Sequence, residues 1–369
     1  MLDNVLGIRL LLWTGDPLPT PSPELLQPLR SVEVTNDADS TDGFQLTFAL
    51  TKDLFGFHDV IGTLSPGTRV WVGVVIGVFP QPLIDGVVER HDLSPSDQPG
   101  RSTLTVTGTT VSSLMGLKER SQRHPNQPDF LIVMKLLAQY PELGFLPAVT
   151  PTTNIPIELD RTPQQAETDL ALIRRLATAN GFVFYTEPVT FGVNKAYWGP
   201  VVRASLPQPR LTLGMGAQRN LKSLSFSLNS LAPVGAEGSF VEPFTKMTIP
   251  LPALPALRIP PLAANPAPAR RTTILRDTGN AGPIQGVLAS VAAATRAPEA
   301  VSGQGTLDTA RYGAILRARG LVGVRGAGVD YDGHYYVKRV THSISKGAYT
   351  QSFALSREGT VSLTPVVVP

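Results

Sequence analysis

The clearest pattern in the chain is an alternation of apolar and polar residues, which is typical of β-strands with one buried face. In the last hundred residues it predicts antiparallel strands joined by tight turns at Asp330–Gly333 and Ser345–Gly347. A helix-period start around Tyr312–Leu316 precedes them. The pattern predicts a sheet that closes into a small antiparallel β-barrel. The predicted strands are Leu321–Val329, Tyr335–Ile344 and Tyr349–Leu355.

The first 110 residues show the same kind of pattern. In Phe44–Leu50 each apolar residue is followed by a polar or small one, which indicates a half-buried strand. Turn-forming residues separate at least five such segments, and this favours a first barrel or sandwich. The predicted strands are Ile8–Trp13, Phe44–Leu50, Val70–Phe79, Leu83–Arg90 and Thr103–Thr107.

Helical periodicity appears between these two β-rich regions. After a polar loop over Lys118–Pro128, apolar residues at 130, 133, 134 and 137 predict one helix. Thr162 as N-cap, Pro163 and a capping-box Gln165 predict the start of a second helix. That helix ends at Asn180–Gly181 and is followed by a strand over 182–185. The region is therefore predicted to be a small α/β insert.

A proline-rich segment interrupts the second β-rich region. Strands are predicted over 210–213 and 221–228, but nine prolines follow between Leu231 and Arg270. Proline excludes an inner strand or a helix there, so an extended arm or surface loop is expected. The residues after it, 285–295, are rich in alanine and are predicted to be helical.

The predicted fold class is mainly β with an α/β insert, with two small antiparallel barrels per chain. Two similar β-modules in one chain permit pseudo-symmetry, and three such chains would present six modules to a six-fold ring. The predicted domains are a first barrel over 1–112, an α/β insert over 113–202, a second barrel over 203–358 with the Pro-rich insertion at about 231–270, and an extended C-terminal tail over 359–369.

Composition narrows the function only slightly. Charged residues make up only 17% of the 369 residues, below the usual quarter. This low fraction is consistent with a surface that other proteins cover and, equally, with a Pro- and Gly-rich all-β protein. The net charge of +3 is too small to argue for nucleic-acid or membrane binding. Cysteine is absent, which excludes disulfides and thiol chemistry. We expect no signal peptide, and the longest apolar run, Val70–Phe79, is too short for membrane anchoring.

No motif with catalytic or metal-binding chemistry stands out. None of the five histidines has metal-ligand spacing, and no nucleophile elbow or phosphate-binding loop occurs. Asp330, Asp332 and Gly333 resemble the start of a calcium loop, but Thr341 stands at its twelfth position, so a hairpin turn is favoured. We therefore predict no catalytic, cofactor-binding or metal residues, and no cofactor.

Two sets of charged residues leave other interpretations open. Asp39 with Asp42, or Asp85 with Glu89, could form a glycosidase pair if the fold placed them across a cleft. Four arginines lie close together in the C-terminal region and either face a partner or channel or lie on solvated faces. These arginines are Arg317, Arg319, Arg325 and Arg339.

Two stretches resemble a known family. The helix-to-strand run AETDLALIRRLATANGFVFYTEP, Ala166–Pro188, is similar to the signature of the phage late-control D protein and tail-hub family. Leu316–Gly359, LRARGLVGVRGAGVDYDGHYYVKRVTHSISKGAYTQSFALSREG, is similar to hub proteins of contractile tails and extracellular injection systems. The resemblance reaches from about residue 31 to 358, with 231–270 outside it, and it is weaker in the first barrel.

This resemblance implies a structural baseplate hub rather than an enzyme. Such hubs are homotrimers whose barrels form a pseudo-six-fold ring, which joins a six-fold tail tube to a three-fold central spike. The implied partners are a separate spike protein, a tail tube or tube-initiator protein and baseplate wedge proteins, with DNA or effectors passing through the channel without specific binding. The implied location is the tail baseplate of a virion or phage-like particle assembled in the bacterial cytoplasm.

Two functions therefore remain open. One is a catalytically silent trimeric hub, in which the Pro-rich segment decorates the outside and reaches a wedge or sheath-side neighbour. The alternative is a tail-associated cell-wall hydrolase or carbohydrate-binding β-protein, which requires paired carboxylates or a metal in a concave site.

Overall fold

The structure is a computed structural model. It describes residues 7–50, 58–98, 101–152, 163–214, 216, 219–241, 247–254, 258–275, 290–295 and 297–364. Most of these residues lie in β-strands. The helices are few and short: α1 His58–Thr63, α2 Asp129–Leu137, α3 Asp169–Ala179, α4 290–295 and α5 Thr309–Tyr312. Three 3₁₀ turns lie at Pro23–Leu26, Val111–Gly116 and Pro141–Leu143.

Several strands of the first half alternate between buried and more exposed side chains, as their sequences predict, whereas Arg69–Ile76 is buried on both faces over most of its length. In the strand Ser102–Thr110, for example, every second residue is buried, and Leu104 and Val106 are fully covered. The strands are β1 Arg9–Gly15, β2 Thr20–Pro21, β3 Leu29–Asp37, β4 Gly43–Leu50, β5 Arg69–Ile76, β6 Phe79–Ser94, β7 Ser102–Thr110, β8 Glu119–Arg123, β9 Phe145–Val149, β10 Gln164–Thr168, β11 Val183–Thr190 and β12 Val193–Gly199.

The second half is also mainly β. The hairpins predicted near the C-terminal end are confirmed, with turns at 326–332 and 346–347. The strands are β13 Gln208–Thr212, β14 Leu221–Leu228, β15 Val234–Val241, β16 Thr248–Leu254, β17 Ala263–Pro266, β18 Arg271–Ile274, β19 Val301–Asp308, β20 Leu321–Arg325, β21 Gly333–Ser345, β22 Ala348–Arg357 and β23 Gly359–Ser362.

One sheet of 13 strands runs through both halves of the chain. Its order is β14-β19-β22-β21-β3-β4-β7-β6-β5-β1-β2, with β20 pairing β21 and β13 pairing β20. The halves meet where β3 pairs antiparallel with β21, from Ser31 opposite Ser345 to Asp37 opposite Arg339. Two large apolar cores pack against this sheet, one formed mainly by first-half residues with Ile315, Ile344 and Tyr349, and one formed by second-half residues. Four further sheets of two or three strands are present among the described residues.

The two closed barrels predicted from the sequence are not found among the described residues. In the first half, β3 pairs with β4 on one side and with β21 on the other, so neither edge is left to pair with β1 or β2. The sheet therefore continues into the second half instead of closing on itself. The mainly β class with an α/β part is confirmed.

The α/β part differs from its prediction at two places. The polar loop over Lys118–Pro128 contains β8, which pairs with β10. The helix predicted to start at Thr162 starts instead at Asp169, because Gln165 and Ala166 pair with β8 and Thr168 is the N-cap, accepting from the Ala171 N–H at 3.2 Å. Thr162 itself lies outside the described residues. The predicted end of this helix at Asn180–Gly181 is confirmed, with Gly181 at φ +69°.

The proline-rich segment is not a simple loop. β15, β16 and β18 form a separate three-stranded sheet, in the order β16-β15-β18, which we call the arm sheet. β17 pairs antiparallel with β23, so residues 359–362 of the predicted tail are held in a ladder. The inner strand β15 contains no proline, and Pro250 and Pro252 lie in β16, an edge strand, where proline is tolerated. The expectation that this segment holds no inner strand was therefore wrong. Of the helix predicted over 285–295, residues 285–289 lie outside the described part and 290–295 are helical.

Candidate functional site

The charged residues that the sequence singles out are gathered where the parts of the chain meet. Asp42, directly before β4, and Arg319, just before β20, are 277 residues apart and form a bidentate ion pair. Arg319 Nη1 donates to Asp42 Oδ2 at 3.0 Å and Nη2 donates to Oδ1 at 2.6 Å. The side chains are only 8% and 3% exposed. We call this pair, together with Asn36, Asp37 and Tyr185, which contact it, the central joint.

The central joint contacts all three parts of the molecule. The Asp42 carboxylate also accepts from the Asp37 N–H at 2.8 Å and from Asn36 Nδ2 at 3.1 Å, which leaves both of its oxygens satisfied. The Arg319 guanidinium lies 4.4 Å from the ring centre of Tyr185 in β11. Burial raises the pKa of the Tyr185 hydroxyl. Asp42 is thus committed to structure and is not available as a general acid or base.

Arg317 extends the central joint along the same loop. Its guanidinium donates to Gln81 Oε1 at 3.1 Å and to the Pro82 carbonyl at 3.3 Å, and it lies 3.9 Å from Glu187. Beside it, His342 is fully buried, and its Nδ1 lies 3.0 Å from the Tyr349 hydroxyl. Burial, with the nearby Arg317 charge, lowers the pKa of His342 to about 3. His342 is therefore a neutral packing residue at neutral pH.

A second buried ion pair joins the first β region to the α/β part. Arg69 on β5 donates to both oxygens of Asp85 on β6, at 2.9 and 2.7 Å. The same guanidinium donates to the Glu142 carbonyl at 2.9 Å, and Asn194 Nδ2 on β12 donates to Asp85 at 2.8 Å. Asp85 is therefore fully used, and the side chain of Glu89 accepts from Thr109.

An aromatic contact reinforces this connection between the first β region and the α/β part. Phe191, in the turn between β11 and β12, packs against Trp13 and Trp71, with ring centres 4.2 and 6.0 Å away. Gly144, at φ +64°, lies directly against the next turn: a Cβ at this position would overlap the Gly192 carbonyl. A left-handed backbone and this close approach both require glycine.

The α/β part contains a buried polar cluster that the sequence did not reveal. Asp169, at the first turn of α3, is fully buried and accepts from the Tyr140 hydroxyl at 2.7 Å and from Gln165 Nε2 at 2.6 Å. Arg120 Nε lies 3.3 Å from the same carboxylate. Burial, together with the bond to Asp169, raises the pKa of Tyr140 to about 12. An acidic residue is favourable at a helix N-terminus, so this cluster is structural. The only sequence signal was the acidic Glu167–Asp169 pair before the apolar stripe.

A fourth buried cluster holds the base of the proline-rich segment. Arg203, Arg258, Glu299 and Glu358 meet with side chains less than 10% exposed, and we call this cluster the arm anchor. Arg258 Nε lies 3.4 Å from Glu299, and Arg258 Nη2 donates to the carbonyl at position 297 at 2.6 Å. Glu358 accepts from Arg203 at 3.1 Å and from the Ala263 N–H at 2.9 Å. Burial, with the nearby Arg203 charge, lowers the pKa of Arg258 to about 10.

The remaining candidate residues are spread over the second half. Asp330 and Asp332 lie in the turn before β21, where their carbonyls accept from the fully buried Arg357 at 2.6 and 2.9 Å. This geometry is that of the predicted hairpin turn. Asp39 lies 2.7 Å from Lys338 at the surface, and Arg339, half exposed, lies 3.9 Å from Asp37.

The described residues hold no arrangement suited to catalysis. In that part of the chain no group of three or more His, Asp or Glu side chains could hold a metal ion. Two cavities beside the central joint measure about 10 and 20 Å³, room for about one water each. In each proposed carboxylate pair one member, Asp42 or Asp85, is buried and bound by an arginine. Among the described helices none is long and apolar enough to cross a membrane.

Apolar surface is exposed at one hairpin tip in particular. Val78, in the turn after β5, and Phe79, the first residue of β6, are 82% and 72% exposed. They place two adjacent apolar side chains at the end of this hairpin.

Comparison with solved structures identifies the fold. A tail protein from Neisseria meningitidis MC58 matches with a TM-score of 0.63 at 14% identity, over 96% of this chain and 98% of that one. The 43 kDa tail protein of prophage MuSo2 from Shewanella oneidensis matches with a TM-score of 0.63 at 14% identity, over 95% and 98%. The chain has the fold of phage tail proteins.

The same tail-protein fold occurs in a secretion apparatus. The E. coli c3393 protein, a type VI secretion component with structural similarity to the T4 tail proteins gp27 and gp5, matches with a TM-score of 0.54 at 14% identity, over 92% of this chain and 77% of that one. No family model and no curated protein sequence matches the chain. The tail-protein fold that the sequence resemblance implied is thus confirmed over nearly the full length.

Proposed function

We propose that this protein is a structural subunit of a phage-type tail, acting at its baseplate hub and not as an enzyme. The observation that carries the proposal is the near end-to-end match of the chain with two tail proteins, one of them from a prophage, over 96% and 95% of this chain. In addition, the buried carboxylates that could have served a hydrolase bind arginines at the joints between these regions.

The proposed hub is a homotrimer that joins a tail tube to a central spike. The continuous sheet through β3 and β21 supports it, because two β regions fixed to one another by a ladder can present a constant surface to a ring of tube subunits. The exposed tip at Val78 and Phe79 is a proposed contact in this assembly. The spike, tube and wedge proteins are its proposed partners, and the baseplate of a virion or phage-like particle is its proposed location. The predicted domain boundaries at 112, 202 and 358 belong to the same proposal.

The experiment is to find the protein in assembled tails. An epitope tag is placed in the chain, tails are purified from the producing bacterium, and antibody-gold is located by electron microscopy. We expect label at one end of each tube, where a baseplate lies. Tails that are complete but carry no label, while the tagged protein stays in the soluble fraction, would contradict the proposal.

A further inference from the structure

The arm sheet has two edges of opposite character. Its outer strand β16 contains Pro250 and Pro252, which are two residues apart and so lack an amide on the same side of the strand. Proline in an edge strand places that side toward solvent, and it prevents another strand from pairing there. The other outer strand, β18, contains no proline, and all four of its side chains are exposed.

The free side of β18 can be assigned residue by residue. β18 pairs in parallel with β15, from Arg271 opposite Val234 to Ile274 opposite Glu237. The Leu275 N–H donates to the Glu237 carbonyl at 2.7 Å, so alternation turns the amides of 271 and 273 toward β15 as well. The amides and carbonyls of Thr272 and Ile274 therefore face outward, where no strand among the described residues pairs with them.

The charge at this edge indicates what kind of strand fits it. Arg270 and Arg271 are exposed, and neither has a carboxylate partner among the described residues. At the other end of β18, Ile274 is 72% exposed. The edge thus offers backbone hydrogen-bonding groups between a cationic end and an apolar end. An extended segment with acidic residues at one end and an apolar residue at the other would satisfy all three features.

The base of the arm sheet is held in place by contacts outside the sheet itself. The arm anchor and the β17–β23 ladder fix residues 258–266 to the body through buried ion pairs and backbone hydrogen bonds. The arm sheet forms no ladder with the 13-stranded sheet. A fixed base keeps the open edge at a constant position, which lowers the entropy lost when a partner strand binds.

We propose that β18 is a docking edge that receives an extended acidic segment of a neighbouring tail protein as an added strand. The inference rests on the proposed function, since it takes the partner from the same tail. Beyond that function, we assign the strand edge that binds, the backbone groups of β18 that form the hydrogen bonds, and the chemistry of the bound segment.

The test compares two substitutions at one residue. Thr272→Pro removes an outward amide without touching the ladder to β15, whereas Thr272→Ala keeps the amide and removes only the side chain. We expect tails assembled with the Pro variant to contain about ten-fold less of this protein than tails with the Ala variant, which corresponds to about 1.4 kcal/mol. Charge reversal at Arg270 and Arg271 should also lower incorporation, while Arg101→Glu, at an exposed site elsewhere, should not.

Residue-resolved amide hydrogen exchange gives a second readout on the unmodified chain. In the isolated protein we expect slow exchange at 271 and 273 and fast exchange at Thr272 and Ile274. In purified tails all four amides should exchange slowly. Fast exchange at Thr272 and Ile274 in tails that contain the protein would overturn the docking edge and leave the proposed function intact. Slow exchange at both amides in the isolated protein, increasing with its concentration, would replace the partner by a second copy of this chain. Tails without the protein would refute the proposed function itself.

Discussion

Breaking the buried pair of Asp42 and Arg319 should strongly destabilise the folded chain. Arg319→Met leaves a carboxylate without a countercharge at a site where the side chains are 8% and 3% exposed. Removing one member of a buried ion pair costs about 3 to 5 kcal/mol. Asp42→Asn leaves the guanidinium unpaired instead and should cost about the same. The lost contact with the Tyr185 ring adds about 1 kcal/mol to the Met variant.

The double variant separates this explanation from a simple loss of packing. With both charges removed, no uncompensated ion remains, and we expect it to be more stable than either single variant, with a coupling of about 3 kcal/mol. The assay is guanidinium unfolding followed by tryptophan fluorescence and far-ultraviolet circular dichroism. The exposed pair of Arg90 and Asp92, 2.7 Å apart, is the matched control and should show no measurable change. Additive single effects at Asp42 and Arg319, or effects no larger than at the control, would refute the reasoning.

Three further predictions concern other buried groups. The pKa of His342 is lowered to about 3, from 6.5 in the unfolded chain. Its contribution to the free energy of unfolding is therefore complete above pH 6.5 and is lost as the pH falls from 6.5 toward 3, by up to about 1.4 kcal/mol per pH unit. His342→Gln should flatten the pH dependence of the free energy of unfolding over this range. Gly144→Ala should strongly lower the midpoint of thermal unfolding, because the new methyl overlaps the Gly192 carbonyl. Gly214→Ala, also at a left-handed position but in open space, should cost only about 1 to 2 kcal/mol. Equal effects of the two substitutions would contradict the close contact at Gly144. Arg258→Met should release the base of the arm, so thermolysin should cut within 231–275 faster than in the wild-type protein, and an unchanged rate would contradict the role of the arm anchor.

The sequence predicted the local elements well. The strands β4, β21 and β22 and the helix α2 are visible because a period of two or 3.6 residues is a property of a short segment. The turn at Asp330–Gly333 was visible because its chemistry is equally local.

What the sequence could not predict depends on residues that are distant in the chain. The ladder between β3 and β21 joins segments about 300 residues apart, and it is this ladder that replaces two separate barrels with one sheet. The partner of Asp42 could not be known without the fold, so the same carboxylate allowed a catalytic interpretation. β8 and β10 were missed because each is polar and is stabilised as a strand only by the other.

The mass of the purified protein in solution is the most direct test of the proposed hub. Light scattering over a wide range of concentrations should give three times the chain mass of 39.4 kDa, since a hub that meets a three-fold spike is a closed trimer. A mass of one chain at every concentration would contradict the trimeric hub.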